Sequence, residues 1–187
     1  MKLLSLVVSA YNEEAGLETF YQTTREYGEG LAAKGWDYEF IFVNDGSRDR
    51  TGEILDDLAA RDANHVRVLH FSRNFGHEAA MTAGLDYATG DGLVFMDADL
   101  QHPPKYLADI VDQFDAGYQV ISMVRTENKT AGLLKNITSG GFYWLINRIS
   151  DTEIVDGACD FRMMTRQMAD AILSLGEYNR FSKGIFS

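Results

Sequence analysis

The chain has 187 residues, 45% hydrophobic and 24% charged, enough for one domain with a full core and too few for two of ordinary size. Its 17 glycines, 2 prolines and 12% aromatics exclude a disordered or collagen-like chain, and one cysteine (Cys159) with four scattered histidines excludes an internal disulfide and zinc-type spacing. The formal charge of −11 disfavours nucleic acid as a partner, but it is lopsided: residues 1–120 hold 9 Lys+Arg and 21 Asp+Glu, residues 121–187 hold 8 and 7.

Along the chain, hydrophobic runs alternate with amphipathic stretches for two thirds of the length, the rhythm of βαβ units and a mainly parallel sheet. Leu3 to Ser9 reads as a buried strand and Glu13 to Glu29 as a helix with Leu17, Phe20, Tyr21 and Tyr27 on its apolar side. Tyr38 to Val43 is the second strand, Asp49 to Asp62 the second helix, Val66 to Phe71 the third strand, Glu78 to Ala88 the third helix and Leu93 to Met96 the fourth strand. Pro103-Pro104 opens a helix to about Ala116, the second proline suiting a first-turn position where its missing N–H has no partner. Gln119 to Val124 is a fifth strand and Thr165 to Leu175 a last helix. Between them, Leu133 to Ile149 reads either as an amphipathic helix at a membrane interface, with Tyr143 and Trp144 at headgroup depth, or as a plain core helix. No run reaches the roughly 18–20 apolar residues that cross a bilayer, and Met1-Lys2-Leu3-Leu4 leads into a strand instead of a signal peptide, so a cytoplasmic location is expected.

Ligands of open α/β sheets bind beyond the carboxyl ends of the strands, and those ends carry polar clusters. In Asp97-Ala98-Asp99, after Leu93-Val94-Phe95-Met96, alternation puts both carboxylates on one side of an extended chain, where they can approach Mg²⁺ or Mn²⁺ with Gln101 as a third oxygen donor. The alternative is that Asp99 caps a turn and Asp97 is solvated. In Asn44-Asp45-Gly46-Ser47-Arg48-Asp49-Arg50-Thr51, Gly46 permits a sharp turn and Asp49 or Thr51 can cap the next helix. Asp45 is left without a structural task and is free to hydrogen-bond a nucleobase. His65 and His70 read as structural or exposed, and His102 as able to join a metal shell.

Taken together, Ser9-Ala10-Tyr11-Asn12-Glu13-Glu14, Val43 to Thr51, Arg73-Asn74-Phe75-Gly76-His77-Glu78-Ala79-Ala80 and Asp97-Ala98-Asp99-Leu100-Gln101-His102-Pro103-Pro104 resemble the family 2 inverting glycosyltransferases of the GT-A fold, and more narrowly the polyprenyl-phosphate hexosyltransferases. The resemblance runs over essentially the whole chain. It implies a single α/β domain, Rossmann-like with an open, mainly parallel sheet flanked by helices, in which residues 1–124 bind the nucleotide sugar and 125–187 face acceptor and membrane. Carried over by position, Tyr11, Asn12, Glu13, Asp45, Gly76, His77, Asp97 and Ala98 bind the nucleotide sugar, and Asp97, Asp99 and Gln101 hold Mg²⁺ or Mn²⁺. Val155 to Arg162 resembles the segment that closes over donor and acceptor, with Asp160 and Arg162 joining Asp99 as catalytic residues. Arg125, Lys135 and Ser139 match the places that hold a lipid phosphate, and Arg180 and Lys183 add positive field. Two positions depart from the family pattern: Ala10 stands where a proline is common and Asn44 where a first aspartate is common.

The resemblance further implies transfer of a hexosyl unit, glucose from UDP-glucose first, to a polyprenyl phosphate at the cytoplasmic membrane face, by a protein peripheral to the membrane or anchored in it. A phosphate monoester is already ionised near neutrality, its second pKa being about 6, so Asp160 is read as a base or an orienting group. Relatives continue into hydrophobic helices beyond the position of Ser187, so one catalytic domain of a membrane enzyme is expected; a homo-oligomer is compatible with the reading. The alternatives are a family 2 enzyme with another glycan or glycolipid acceptor, and a nucleotidyltransferase. The latter calls for a Gly-rich basic loop after the first strand, where this chain has the acidic Ala10-Tyr11-Asn12-Glu13-Glu14.

Overall fold

The computed structural model describes residues 1–124 and 158–174. In chain order these form β1 (Lys2–Ala10), α1 (Leu17–Gly30), a 3-10 turn (Leu31–Lys34), β2 (Trp36–Asn44), α2 (Thr51–Arg61), β3 (Val66–His70), α3 (His77–Tyr87) and β4 (Gly92–Asp97). A 3-10 turn (Pro104–Tyr106) then leads into α4 (Leu107–Asp115), followed by β5 (Val120–Val124), β6 (Ala158–Thr165) and α5 (Arg166–Ser174). Pro104 occupies the first turn of its element, as its missing N–H requires.

The strands join in one sheet of order β3-β2-β1-β4-β6-β5. β1 lies parallel to β2 and β4, and β2 parallel to β3, while β6 runs antiparallel to both β4 and β5. β1 and β2 are near-continuous apolar runs because both of their faces are covered, as in other buried parallel sheets. Leu4, Leu6, Val8, Phe40 and Phe42 share one core cluster with Leu17 and Phe20 of α1, Leu55 and Leu58 of α2, and Leu107, Ile110 and Val111 of α4. Val7, Ile41, Leu93 and Phe95 share the other with Met81 and Leu85 of α3 and Ala169 and Ile172 of α5. The sheet is thus the middle layer of three, and each large buried side chain contributes about 1.5–3 kcal/mol.

One expectation is corrected. The helix predicted from Glu13 begins at Leu17: Asn12 is left-handed at φ 57, and the amides of Glu13 and Glu14 donate to Thr51 Oγ1 (2.8 Å) and Asp49 Oδ2 (3.2 Å), so the chain is tied to the start of α2 before it can coil. The segment whose resemblance implied closure over donor and acceptor forms, from Ala158 onward, the strand β6, inserted between β4 and β5. Phe161, Arg162, Met163 and Met164 are all buried, and Asp160 and Arg162 break the apolar run, so the segment shows neither the alternation nor the continuous run that marks a strand. The interfacial stretch Leu133–Ile149 and the residues Arg125, Lys135, Ser139, Arg180 and Lys183 lie outside the described residues. No helix among the described residues is long and apolar enough to cross a membrane.

Candidate active site

Past the carboxyl ends of β1, β2 and β4, and beside the first residue of α3, lies a cavity of about 240 Å³ lined by Ser9, Tyr11, Glu13, Asp45, Asn74, His77, Asp97, Ala98 and Asp99. This is the edge at which an open α/β sheet binds ligands. Seven residues singled out from the sequence as binding or catalytic meet here: Tyr11, Glu13, Asp45, His77, Asp97, Ala98 and Asp99. Asn12, Gly76 and Gln101 are not in the lining. Asn74 is, although nothing in its spacing distinguished it from its neighbours in the Arg73–Ala80 cluster.

The loop after β1 is positioned by a reciprocal set of hydrogen bonds to the loop before α2. The Asn12 amide donates to Ser47 Oγ (3.0 Å), while Asn12 Oδ1 accepts from the Arg48 amide (2.9 Å) and Glu14 Oε2 from the Arg50 amide (2.9 Å). Asn12 is suited to this turn because Asn tolerates a left-handed backbone better than most side chains do. Its own side chain is turned to the neighbouring loop, and Tyr11 and Glu13 on either side of it reach the cavity. Of the two candidate caps for α2, Asp49 receives the Thr51 amide (3.0 Å) and hydroxyl (2.6 Å), whereas Thr51 serves the Glu13 amide.

Asn44, at the end of β2, keeps the hydrogen bonding that an aspartate would supply there. Its Oδ1 accepts the Ser47 amide (3.0 Å), and its Nδ2 lies 3.1 Å from His70 Nδ1, whose other ring nitrogen is 2.9 Å from Asp56 Oδ1. The expectation that Asp45 has no structural task is overturned. The Asp45 side chain accepts the Phe75 amide at Oδ1 (2.7 Å) and the Gly76 amide at Oδ2 (3.0 Å).

At the other end of the cavity the charge is concentrated. Asp99 Oδ1 accepts the Gln101 amide (2.9 Å), closing a turn in which Leu100 stands at φ 58, and the residue also lines the cavity beside Asp97. Burial first, then the charges of Asp99, Asp97 and Asp49, hold the Glu13 carboxyl above the ordinary value. His77 Nδ1 and His102 Nδ1 stand 3.7 Å and 3.9 Å from the two oxygens of Asp97. His102 is buried, with its ring stacked on Phe161 of β6 (5.4 Å, 12°).

Among the described residues the lining includes four carboxylates and no Lys or Arg. A diphosphate could not enter such a place alone: like charges about 4 Å apart repel by about 4 kcal/mol at an effective dielectric of 20. A hard divalent cation fits. Two carboxylates leave Mg²⁺ or Mn²⁺ with open positions for water and phosphate oxygens; among the described residues no group of three or more His, Cys, Asp or Glu is arranged to hold a metal ion by itself. Arg162 sits within β6, 3% exposed and outside the cavity lining. Asp160 is the third residue of the same strand, its side chain lying outside the described ones.

The chain is similar to known proteins in sequence and in fold. The prophage bactoprenol glucosyl transferase homolog of Escherichia coli K12 is 41% identical over 184 residues, covering 98% of this chain and 59% of the relative, so the chain spans less than two thirds of that protein. The mannosyltransferase PcManGT from Pyrobaculum calidifontis, solved with GDP-Man and Mn²⁺, superposes with a TM-score of 0.63 at 20% identity over 91% of this chain and 46% of that one. Glucosyl-3-phosphoglycerate synthase from Mycobacterium tuberculosis, solved with Mn²⁺, UDP-Glc and phosphoglyceric acid, gives 0.57 at 22% identity over 89% and 58%. At these identities the two structures share the GT-A fold with this chain. Residues 5–173 match the family model of glycosyl transferase family 2, and the chain belongs to that family.

Proposed function

We propose that the chain transfers glucose from UDP-glucose to a polyprenyl phosphate at the membrane face, inverting the anomeric carbon. The observation that carries the reading is the cavity with an acidic wall of Glu13, Asp97 and Asp99 and, among the described residues, no Lys or Arg in its lining, a site suited to a nucleotide diphosphate together with a divalent cation. The name of the 41% identical relative supports bactoprenol and glucose, and the UDP-Glc complex supports the donor on this fold.

Asp97 and Asp99 would hold Mg²⁺ or Mn²⁺, with Gln101 the third ligand implied by the family resemblance. When bound, the cation neutralises charge developing on the leaving diphosphate. Tyr11 and Asp45 border the nucleotide, and Asn74 and His77 border its phosphates. An oxygen of the lipid phosphate attacks the anomeric carbon as the bond to the diphosphate oxygen breaks, and the departing nucleotide keeps the electron pair. That oxygen is already ionised at neutral pH, since a phosphate monoester has its second pKa at about 6. Asp160 is therefore assigned to orienting the nucleophile, and Arg162 to charge near the acceptor. Arg125, Lys135, Ser139, Arg180 and Lys183 are assigned to the lipid phosphate.

The test is incubation with radiolabelled UDP-glucose, undecaprenyl phosphate and Mn²⁺ or Mg²⁺, with label counted in the organic phase. Metal-dependent appearance of a glucolipid is expected. If label stays in the aqueous phase with UDP-glucose and enters lipid only from another nucleotide sugar, the donor assignment fails; if no donor labels lipid, the acceptor assignment fails.

A further inference from the structure

We propose that Asp45 is a positioning residue for the phosphate end of the cavity, acting through residues 73–77 to hold Asn74 and His77 in the wall. The inference rests on the nucleotide-sugar reading above and goes beyond a contact to the base. Asp45 is only 2% exposed, and each of its oxygens accepts one backbone amide, from Phe75 (2.7 Å) and Gly76 (3.0 Å). Bonds to an ionised acceptor are roughly twice as strong as neutral ones. Among the described residues they are the only hydrogen bonds made by the amides of residues 73–76. The outer side of the loop offers little to hold it: Phe75 is 51% exposed and touches Phe71 (5.5 Å) and the Arg73 guanidinium (4.8 Å).

The residue next to Asp45 is shaped for the same loop. Gly46 has φ 66, and a Cβ there would overlap the Arg73 carbonyl carbon and come within 2.5 Å of the Asn74 nitrogen. The loop backbone therefore lies directly on the Asp45-Gly46 turn. Gly76 at φ 96 then swings the chain into α3. The two clamped amides lie between Asn74 and His77, the two residues of this stretch that line the cavity. A carboxylate has about four lone-pair sites, so two amides leave room for a nucleobase N–H, and a probe containing the base cannot separate the two roles.

A probe without a base does. Asp45→Asn keeps the volume and one acceptor but turns an amide group toward one backbone N–H. Isothermal titration of both proteins with UDP and with inorganic diphosphate, each with Mn²⁺, should show both affinities falling by about tenfold or more in the variant. If diphosphate binds the variant as it binds the original chain, Asp45 acts on the base alone or not at all, and the inference is overturned. If the original chain binds diphosphate but not UDP, the nucleotide reading fails while the clamp stands. Amide hydrogen exchange on the unsubstituted chain decides the matter even if the variant does not fold. The Phe75 and Gly76 amides should be protected relative to that of Asn74, and exchange of all three at the unprotected rate would overturn the inference.

Discussion

Gly84, in the middle of α3, measures how tightly that helix must lie on the sheet to bring His77, its first residue, to the cavity. A Cβ at Gly84 would overlap Val7 Cγ1 of β1 and stand 3.3 Å from Val43 Cγ2 of β2. Helix propensity alone predicts that Gly84→Ala stabilises the chain by about 1 kcal/mol. Against this, Val7 is fully buried, and a β-branched side chain has little rotamer freedom with which to yield. Overpacking of this kind costs about 1–3 kcal/mol, so the net effect expected is a loss of up to about 2 kcal/mol. Val7→Ala should cost about 2 kcal/mol through lost burial and a residual cavity. In the double variant the new methyl occupies the vacated space, and the two changes should couple favourably by at least about 1 kcal/mol. Urea denaturation of the four proteins, with unchanged m-values, gives each quantity. A stabilised Gly84→Ala variant, or strictly additive losses in the double variant, would refute the close seating of α3.

Further outcomes follow from the charged groups. Asp99→Asn should lower metal-dependent glucosyl transfer by about 100-fold or more and weaken Mn²⁺ binding read by electron paramagnetic resonance; activity that persists in this variant under chelation removes Asp99 from the metal site. Arg166 donates from Nη2 to the Ala88 carbonyl (2.5 Å) and from Nε to the Gly90 carbonyl (3.2 Å) beyond the end of α3. Arg166→Ala should therefore cost about 1–3 kcal/mol in urea denaturation, with Arg166→Lys restoring only part because an ammonium lacks the planar fork; an unchanged midpoint in the alanine variant contradicts that role. Burial pulls the Asp62 carboxyl upward, but hydrogen bonds from His65 (2.7 Å) and Tyr21 (2.7 Å) outweigh it and hold the group below its ordinary value. A depressed native pKa gives stability that is present above the unfolded value of about 3.9 and is lost as pH falls through the native one. Asp62→Asn should thus be less stable than the original chain at pH 7, the gap closing in acid; a gap that is constant from neutral pH to pH 2 rules out the linkage.

The strands and helices were legible because the residues that build them repeat a period. β1 and β2 are apolar for most of their length, and α4 presents Leu107, Ile110 and Val111 at helical spacing. β6 was not legible, because Asp160 and the buried Arg162 interrupt the apolar run that marked β1 and β2 as buried strands, and its buried residues show no alternation in its place. The late start of α1 was hidden for a different reason. It depends on Asp49 and Thr51, more than thirty residues away, taking the amides of Glu14 and Glu13, and no local propensity records a long-range acceptor.

The candidate site divides along the same line. The place of Asp97 and Asp99 in the cavity wall could be read from the sequence because side-chain charge after a strand end is written in residue identity. Asp45 was read from the same kind of signal and its position was right, yet its structural role was missed because its partners are backbone amides, which every residue but proline carries. Asn12 shows the converse: its identity pointed to the nucleotide, whereas its oxygen is spent on the Arg48 amide and its left-handed backbone directs Tyr11 and Glu13. Motif residues in these loops therefore separate into those that meet the ligand and those that shape the chain around it. In the acidic first 120 residues that separation concentrates Glu13, Asp97 and Asp99 at one end of the cavity, where burial first and then the neighbouring carboxylates raise Glu13, and where, on the proposed function, a divalent cation would offset the same charges that a diphosphate meets.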